Sequence, residues 1–294
     1  MSNKPHIESI SDTSLNVLVI DLARRSFERK TFSELHPYVG GIGTGAKLFS
    51  IYKTYDPLIF SIGPLNGFFP YASKTSIVLQ HNNILEDLYL GGALSFKLQF
   101  LGVNSVVFLG QSVHPLAIEI TQEDVKFYPA SIDLNSLGLP GKSSYLNLGR
   151  QGVTLDNYFT APEGYLEKKF SEKNLRSLVF TGNKVYTITR PEKYYELYKT
   201  LLDKAPEVTV TPSLNPSCSG CPLGCADSRV GEIGGALLTH TLVACNFARN
   251  IYSDIGTVFS CLDVLGYRYT HEELENVSYK ISTLIRELNT SLQK

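Results

Sequence analysis

Residues 38–49 read YVGGIGTGAKLF: four glycines within six positions, then a run of good helix formers. Glycine has no Cβ, so it permits a tight turn and close backbone packing, and Ala46-Lys47-Leu48-Phe49 leads on into a helix. A phosphate loop is excluded, because Leu48 stands where Ser or Thr would meet Mg²⁺. Nor is there a usable G-x-G-x-x-G register. The stretch reads as a packing turn before a helix. Upstream, Leu15–Asp21 (LNVLVID) alternates apolar and polar residues and reads as a half-buried strand. Downstream come short strands at Leu58–Ile62, Thr75–Gln80, Ser105–Leu109, Leu116–Ile120 and Val125–Tyr128. A helix from about Gly92 stops at Leu101, with Gly102 beyond its end. Gly91-Gly92 before that helix admits either a plain turn or an anion site. Val179–Thr181 and Val185–Thr189 read as a hairpin about Gly182-Asn183, and Thr189 with Glu192 as a capping box opening a helix to about Lys204.

Near Ala205 the character changes. Pro206, Pro212 and Pro216 mark a linker, and the remainder turns helical. One helix is expected over Ala236–Phe247 and a second from Asp254 to Leu265, stopped by Gly266. The last opens at Thr270, capped with Glu273. Its apolar positions Leu274, Val277, Ile281, Leu284, Ile285 and Leu288 follow a 3.6 period. The organisation is thus a polar tail (1–13), a strand-rich part (14–205) and a helical part (206–294).

The chain has 294 residues, 43% hydrophobic and 19% charged, with a net charge of −1. That is enough apolar material for a core, and it gives no bulk electrostatic reason to bind nucleic acid or an acidic membrane. No apolar run reaches the roughly 20 residues needed to cross a bilayer, and Met1–Thr13 lacks the apolar segment of a secretory signal. A cytoplasmic location is expected, and there five cysteines are not a disulfide framework.

Three of those cysteines fall within eight residues, Cys218-Ser-Gly-Cys221-Pro-Leu-Gly-Cys225, and Cys245 and Cys261 follow. A C-x₂-C-x₃-C loop lets one turn offer three thiolates to an iron–sulfur cluster, with a distant fourth completing it. Cys245 is the better fourth ligand, because it is expected on a helix after a polar, glycine-bearing loop. Cys261, in the apolar VFSCLDVL, reads as a buried thiol. Zinc is the rival metal, but its usual second knuckle is missing and no histidine lies within twelve residues of the loop. Three unligated cysteines are the remaining alternative. The six histidines are scattered, and only His240, five residues before Cys245, invites attention. There is no G-x-S-x-G nucleophile motif.

Taken in order, five segments resemble the tungsten-containing aldehyde ferredoxin oxidoreductase family: YVGGIGTGAKLF (38–49), DPLIFSIGPLNG (56–67), LGGALSFKLQFLGVNSVVFLG (90–110), EKNLRSLVFTGNK (172–184) and CSGCPLGC (218–225). LVACNF (242–247) is similar to the family segment that carries the fourth cluster ligand, and residues 262–289 resemble the helices around it. The resemblance implies an α+β fold: an N-terminal two-sheet β-rich domain with flanking helices, then a small α-helical cluster-binding domain. It implies a [4Fe–4S] cluster on Cys218, Cys221, Cys225 and Cys245. Family members are roughly twice this length. Four positions that in the family help hold a bis-pterin differ here: Lys74 replaces arginine, Tyr89 asparagine, Glu163 arginine and His240 aspartate. The implied function is an electron-transferring, oxidoreductase-like protein with one [4Fe–4S] cluster and no tungstopterin or molybdopterin of its own. A ferredoxin or a catalytic subunit is its implied partner. Two alternatives stand beside it: a metal-stapled interaction module, and a tungsten or molybdenum pterin aldehyde oxidoreductase completed by a partner chain. Whether the chain is an enzyme, and with what catalytic residues, is left open.

Overall fold

Strict alternation along the central strands sends successive side chains into two different cores. The computed structural model describes residues 7–9 and 14–294. Its strands, in chain order, are β1 (Ile7–Ser9), β2 (Leu15–Asp21), β3 (Ser26–Phe32), β4 (Leu58–Ser61), β5 (Thr75–His81), β6 (Ile84–Leu90), β7 (Ser105–Leu109), β8 (Leu116–Ile120), β9 (Val125–Pro129), β10 (Ser143–Gly149), β11 (Gly152–Leu155), β12 (Phe159–Thr160), β13 (Leu175–Thr181), β14 (Val185–Thr187) and β15 (Glu232–Ile233). The helices are α1 (Gly41–Tyr52), α2 (Leu94–Phe100), α3 (Tyr165–Glu172), α4 (Pro191–Asp203), α5 (Leu237–Thr241), α6 (Arg249–Tyr252), α7 (Ile255–Leu265) and α8 (His271–Leu292).

A seven-stranded sheet runs β15-β6-β5-β4-β7-β2-β3, and a six-stranded sheet runs β12-β11-β10-β13-β8-β9. Val17, Val19, Ile59, Val78 and Val107 face one side of the larger sheet and pack with Ile42, Ala46 and Phe49 of α1 and with Leu274, Val277 and Ile281 of α8. Their neighbours Leu18, Ile20, Phe60, Ile77 and Phe108 face the other side and pack with Ile118, Leu146, Leu178 and Phe180 of the smaller sheet. The order of layers is helices, larger sheet, smaller sheet. This is the α+β, two-sheet arrangement expected from the sequence. Because the larger sheet is covered on both faces, β2 is buried at nearly every position, not half-buried as its alternation implied. Each fully buried Leu, Val or Ile contributes roughly 1.5–3 kcal/mol, so the side chains of α8 hold it firmly against α1.

Local signals set some boundaries and fail at others. Thr270 and Glu273 form a reciprocal capping box at the start of α8, and Gly266 ends α7 in the left-handed conformation. The hairpin expected about Gly182-Asn183 is absent. β13 is flanked on both sides, by β10 and by β8, while β14 pairs in parallel with β1. Gly182 serves close approach instead, since a Cβ there would collide with the backbone of Phe100 and Leu101. Helix α4 starts where expected, but it has Arg190 as N-cap and Pro191 in its first turn, without a side-chain cap. Proline fits there because its missing N–H is unpaired in any helix. Residues 7–9, within the stretch read as a polar tail, form β1. The rest of 1–13 lies outside the described residues. No helix among the described residues is long and apolar enough to cross a membrane.

Candidate metal centre

The cysteine loop lies at the boundary between the two cores. Cys218 packs against the core between the sheets, while Cys221 and Cys245 pack against the core under the helices. Gly91 makes room for it: a Cβ there would stand 2.6 Å from Cys218 Sγ. The Ser219 N–H donates to the Gly92 carbonyl at 3.0 Å. The Gly91-Gly92 pair is therefore a seat for the loop. A tight turn follows, in which the Cys221 N–H donates to the Cys218 carbonyl (3.1 Å) and Gly220 adopts φ +73°. Segment 213–215 packs on Gly224, and Ser228 Oγ donates to the carbonyls of Pro216 and Cys225.

Cys245 arrives from a different direction. The helix expected over Ala236–Phe247 is broken: α5 ends at Thr241, and Val243 is left-handed (φ +51°). Pairing with residues 71–74 breaks it. The Lys74 N–H donates to the Val243 carbonyl (3.1 Å), and the Cys245 N–H donates to the Tyr71 carbonyl (2.8 Å). Cys245 consequently sits on extended backbone, not on a helix. Tyr71 is also left-handed, at φ +64°. Such values are outliers for bulky or β-branched residues, and each costs on the order of 1–3 kcal/mol.

Cys218, Cys221, Cys225 and Cys245 all line one cavity, together with Tyr71, Lys74, Val210, Leu223 and Phe247. Cys261 is not among them and is fully buried within α7. Among the described residues no three His, Cys, Asp or Glu side chains converge on a point that would hold a single metal ion. Burial pushes the Cys221 thiol up to about 11, and it also raises those of Cys225 and Cys245. The Lys74 cation opposes that rise at all three.

Lys74 belongs to a buried polar network that sequence reasoning did not foresee. Its ammonium donates to Glu232 Oε1 at 2.5 Å, and both side chains are nearly enclosed. Burial works against the Lys74 charge, but the Cys245 and Glu232 charges beside it outweigh burial and raise its pKa. Glu232 is on β15, which reaches the edge of the larger sheet by pairing with β6. The same carboxylate accepts from the Asn246 N–H (3.2 Å) and from the Cys245 thiol (3.4 Å). His240 Nε2 lies 3.4 Å from Glu232 Oε2, an ion-pair distance at which neither ring nitrogen makes a hydrogen bond. Burial raises the Glu232 carboxyl, yet contact with His240 and Lys74 holds it down at about 2. The His240 ring stacks on Tyr89 with centroids 3.6 Å apart, and the Tyr89 hydroxyl donates to Asp87 (2.6 Å). Three of the four positions that the resemblance singles out, Lys74, Tyr89 and His240, thus meet beside Cys245. The fourth, Glu163, is exposed before α3 and takes no part. Glu232 lies in GEIGG, which carries no motif, so nothing in the sequence marked it.

Comparison with known proteins gives a sequence relationship and a fold. Residues 17–147 match the family model described as aldehyde ferredoxin oxidoreductase, N-terminal domain. The chain is 22% identical over 226 residues to the tungsten-containing aldehyde ferredoxin oxidoreductases of Pyrococcus horikoshii and Pyrococcus abyssi, with 64% of its length and 36% of theirs aligned. It is a relative of that family, and it spans about a third of the length of those curated proteins. Its fold is also similar to a solved chain of the active site complex BamBC of benzoyl coenzyme A reductase, with a TM-score of 0.58 and 14% identity over 95% of this chain and 64% of that one.

Proposed function

We propose that this chain holds one [4Fe–4S] cluster for electron transfer on Cys218, Cys221, Cys225 and Cys245, and that it does not bind a tungsten or molybdenum pterin by itself. One observation carries the proposal: four cysteines from two distant segments line one cavity, and a filled polar network adjoins it. When bound, such a cluster accepts and returns single electrons. The thiolates would hold it, and Val210, Leu223 and Phe247 would keep water from it. Lys74 would offset part of its negative charge. A single zinc ion suits the set less well, because the second knuckle of a structural zinc site is missing from the sequence.

A pterin does not fit beside it. Lys74 is committed to Glu232, and the fully buried rings of Tyr89 and His240 stack on each other next to that pair. A phosphate donor is wanted there, and Glu232 brings negative charge instead. In this proposal residues 14–205 form the base and 206–294 the cluster-binding part, in a cytoplasmic protein that works with a ferredoxin or a catalytic subunit. BamBC is itself a complex, which supports a partner chain. Between Glu207 and Leu237 the only regular structure among the described residues is a 3₁₀ turn and the two-residue β15. A metal would therefore also staple this loop, as the interaction-module reading requires.

Metal analysis with EPR on protein purified without oxygen tests this. About four irons per chain are expected, without tungsten, molybdenum or zinc. Cys245→Ala should lose most of the iron, and Cys261→Ala should keep it. Stoichiometric tungsten or molybdenum would restore the pterin enzyme, and a metal-loaded protein without a one-electron wave would favour the staple.

A further inference from the structure

Among the described residues, Lys74 and Asp227 are the charged side chains that line the cysteine cavity. Glu232 stands just behind that wall and reaches it twice. Its Oε1 takes the Lys74 ammonium at 2.5 Å and lies 3.4 Å from Cys245 Sγ, while its Oε2 accepts from the Asn246 N–H. The chain on either side of Glu232 is clamped. A Cβ at Gly231 would stand 2.3 Å from the Tyr89 carbonyl oxygen, and one at Gly235 would stand 2.3 Å from His240 Cε1. The carboxylate therefore cannot swing away without moving β15. The Lys74 charge bears on Cys218, Cys221, Cys225 and Cys245, and the Glu232 charge bears on Cys245.

We propose that Glu232 is a positioning residue that holds down the reduction potential of the [4Fe–4S] cluster, by keeping the Lys74 ammonium to itself and setting its own negative charge against the Cys245 sulfur. This rests on the electron-transfer reading above. One electron from a single-electron carrier makes the cluster more negative, and no bond of the protein forms or breaks. A buried cation beside the sulfurs favours that state and a buried anion opposes it. Both side chains are almost enclosed, so water screens neither charge well. An ammonium has three N–H donors. Released from Glu232, those of Lys74 would turn to the cysteine sulfurs and ease reduction further. Glu232 thus opposes reduction directly, through its charge, and indirectly, through Lys74.

The test is an EPR-monitored redox titration of the full chain with dithionite, on protein purified without oxygen, with iron counted on every sample. Glu232→Gln keeps an oxygen for the Lys74 ammonium and loses the charge. It should be reduced at least about tenfold more readily, which is about 59 mV upward for one electron. Glu232→Asp keeps the charge and should stay within about threefold of the unchanged protein. Lys74→Met should shift the opposite way. In that background a second Glu232→Gln removes the last member of the ion pair, so no buried ammonium is left without its partner. The double variant should be reduced at least about threefold more readily than Lys74→Met alone. An iron-loaded Glu232→Gln within about twofold of the unchanged protein would overturn the proposal. So would equal shifts in Glu232→Gln and Glu232→Asp, or loss of iron from Glu232→Gln, which would make Glu232 a structural support. If the unchanged chain binds no iron, the electron-transfer reading falls and takes this proposal with it, whereas iron-loaded variants with an unmoved potential remove this proposal alone.

Discussion

Gly41 carries more constraint than its place in a glycine-rich run suggests. Its φ is +45°, and a Cβ would collide with the His240 carbonyl and lie 2.7 Å from Val243 Cγ2. The N-terminus of α1 is thereby pressed against the segment that delivers Cys245. Gly41→Ala should cost about 3 kcal/mol or more, from left-handed strain plus overpacking, read as a lower denaturant midpoint. Gly91 plays the matching part against Cys218. Gly41 was legible as part of a packing turn and Gly91 as a turn or an anion site, but their partners were not legible, because these lie about 130 to 200 residues away. Lys173 is a second residue with a measurable signature. It is enclosed, donates to the carbonyls of Asp56 and Gly110, and burial pulls its pKa down to about 8 although Asp56 opposes the shift. A base with a lowered folded-state pKa binds fewer protons folded than unfolded, so its contribution to stability rises with pH between about 8 and 10.5. In Lys173→Met that rise should vanish from urea melts taken across the window.

Elements followed the sequence where a local signal set their ends. Helix α8 has its box at Thr270 and its stripe of buried Leu274, Val277, Ile281 and Leu288. Thr270→Ala should destabilise the chain by about 1 kcal/mol, seen as a small fall in Tm, without altering iron content. Elements departed from it where a partner overrode the local pattern. The run Ala236–Phe247 is apolar enough for a helix, but the 71–74 segment takes the hydrogen bonds that would have continued it. β3 was missed because SFERKTF lies at the edge of the sheet, mostly exposed, and has no apolar alternation to read. β15 was missed because two residues paired to β6 leave no periodic trace.

At the scale of the molecule, the cysteine loop joins what the layers leave open. The segment after it bonds to both sheets: the Gly231 N–H donates to the Thr160 carbonyl at 2.8 Å, and Glu232–Ile233 pairs with β6. The loop itself has little regular structure, so under the proposed cluster its order should depend on the metal. Hydrogen exchange should accelerate about tenfold or more across residues 207–231 when iron is removed, while β2 and β7, at the centre of the larger sheet, stay protected. Equal exchange with and without iron would show that the protein packing alone orders the loop.

The sequence by itself determined the alternating strands, the helix ends marked by Thr270, Gly266 and Gly102, the buried Cys261, and the grouping of Cys218, Cys221 and Cys225 in one short loop. These rest on short-range rules: a two-residue strand period, a cap three residues long, a ligand spacing within one turn. Only the tertiary structure decided that those three and Cys245 line a single cavity, that Cys245 sits on extended backbone, and that Lys74, Glu232, His240 and Tyr89 close the space beside it. Those outcomes depend on contacts between segments up to about 170 residues apart. No local pattern encodes such contacts, because burial and pairing are properties of the packed chain.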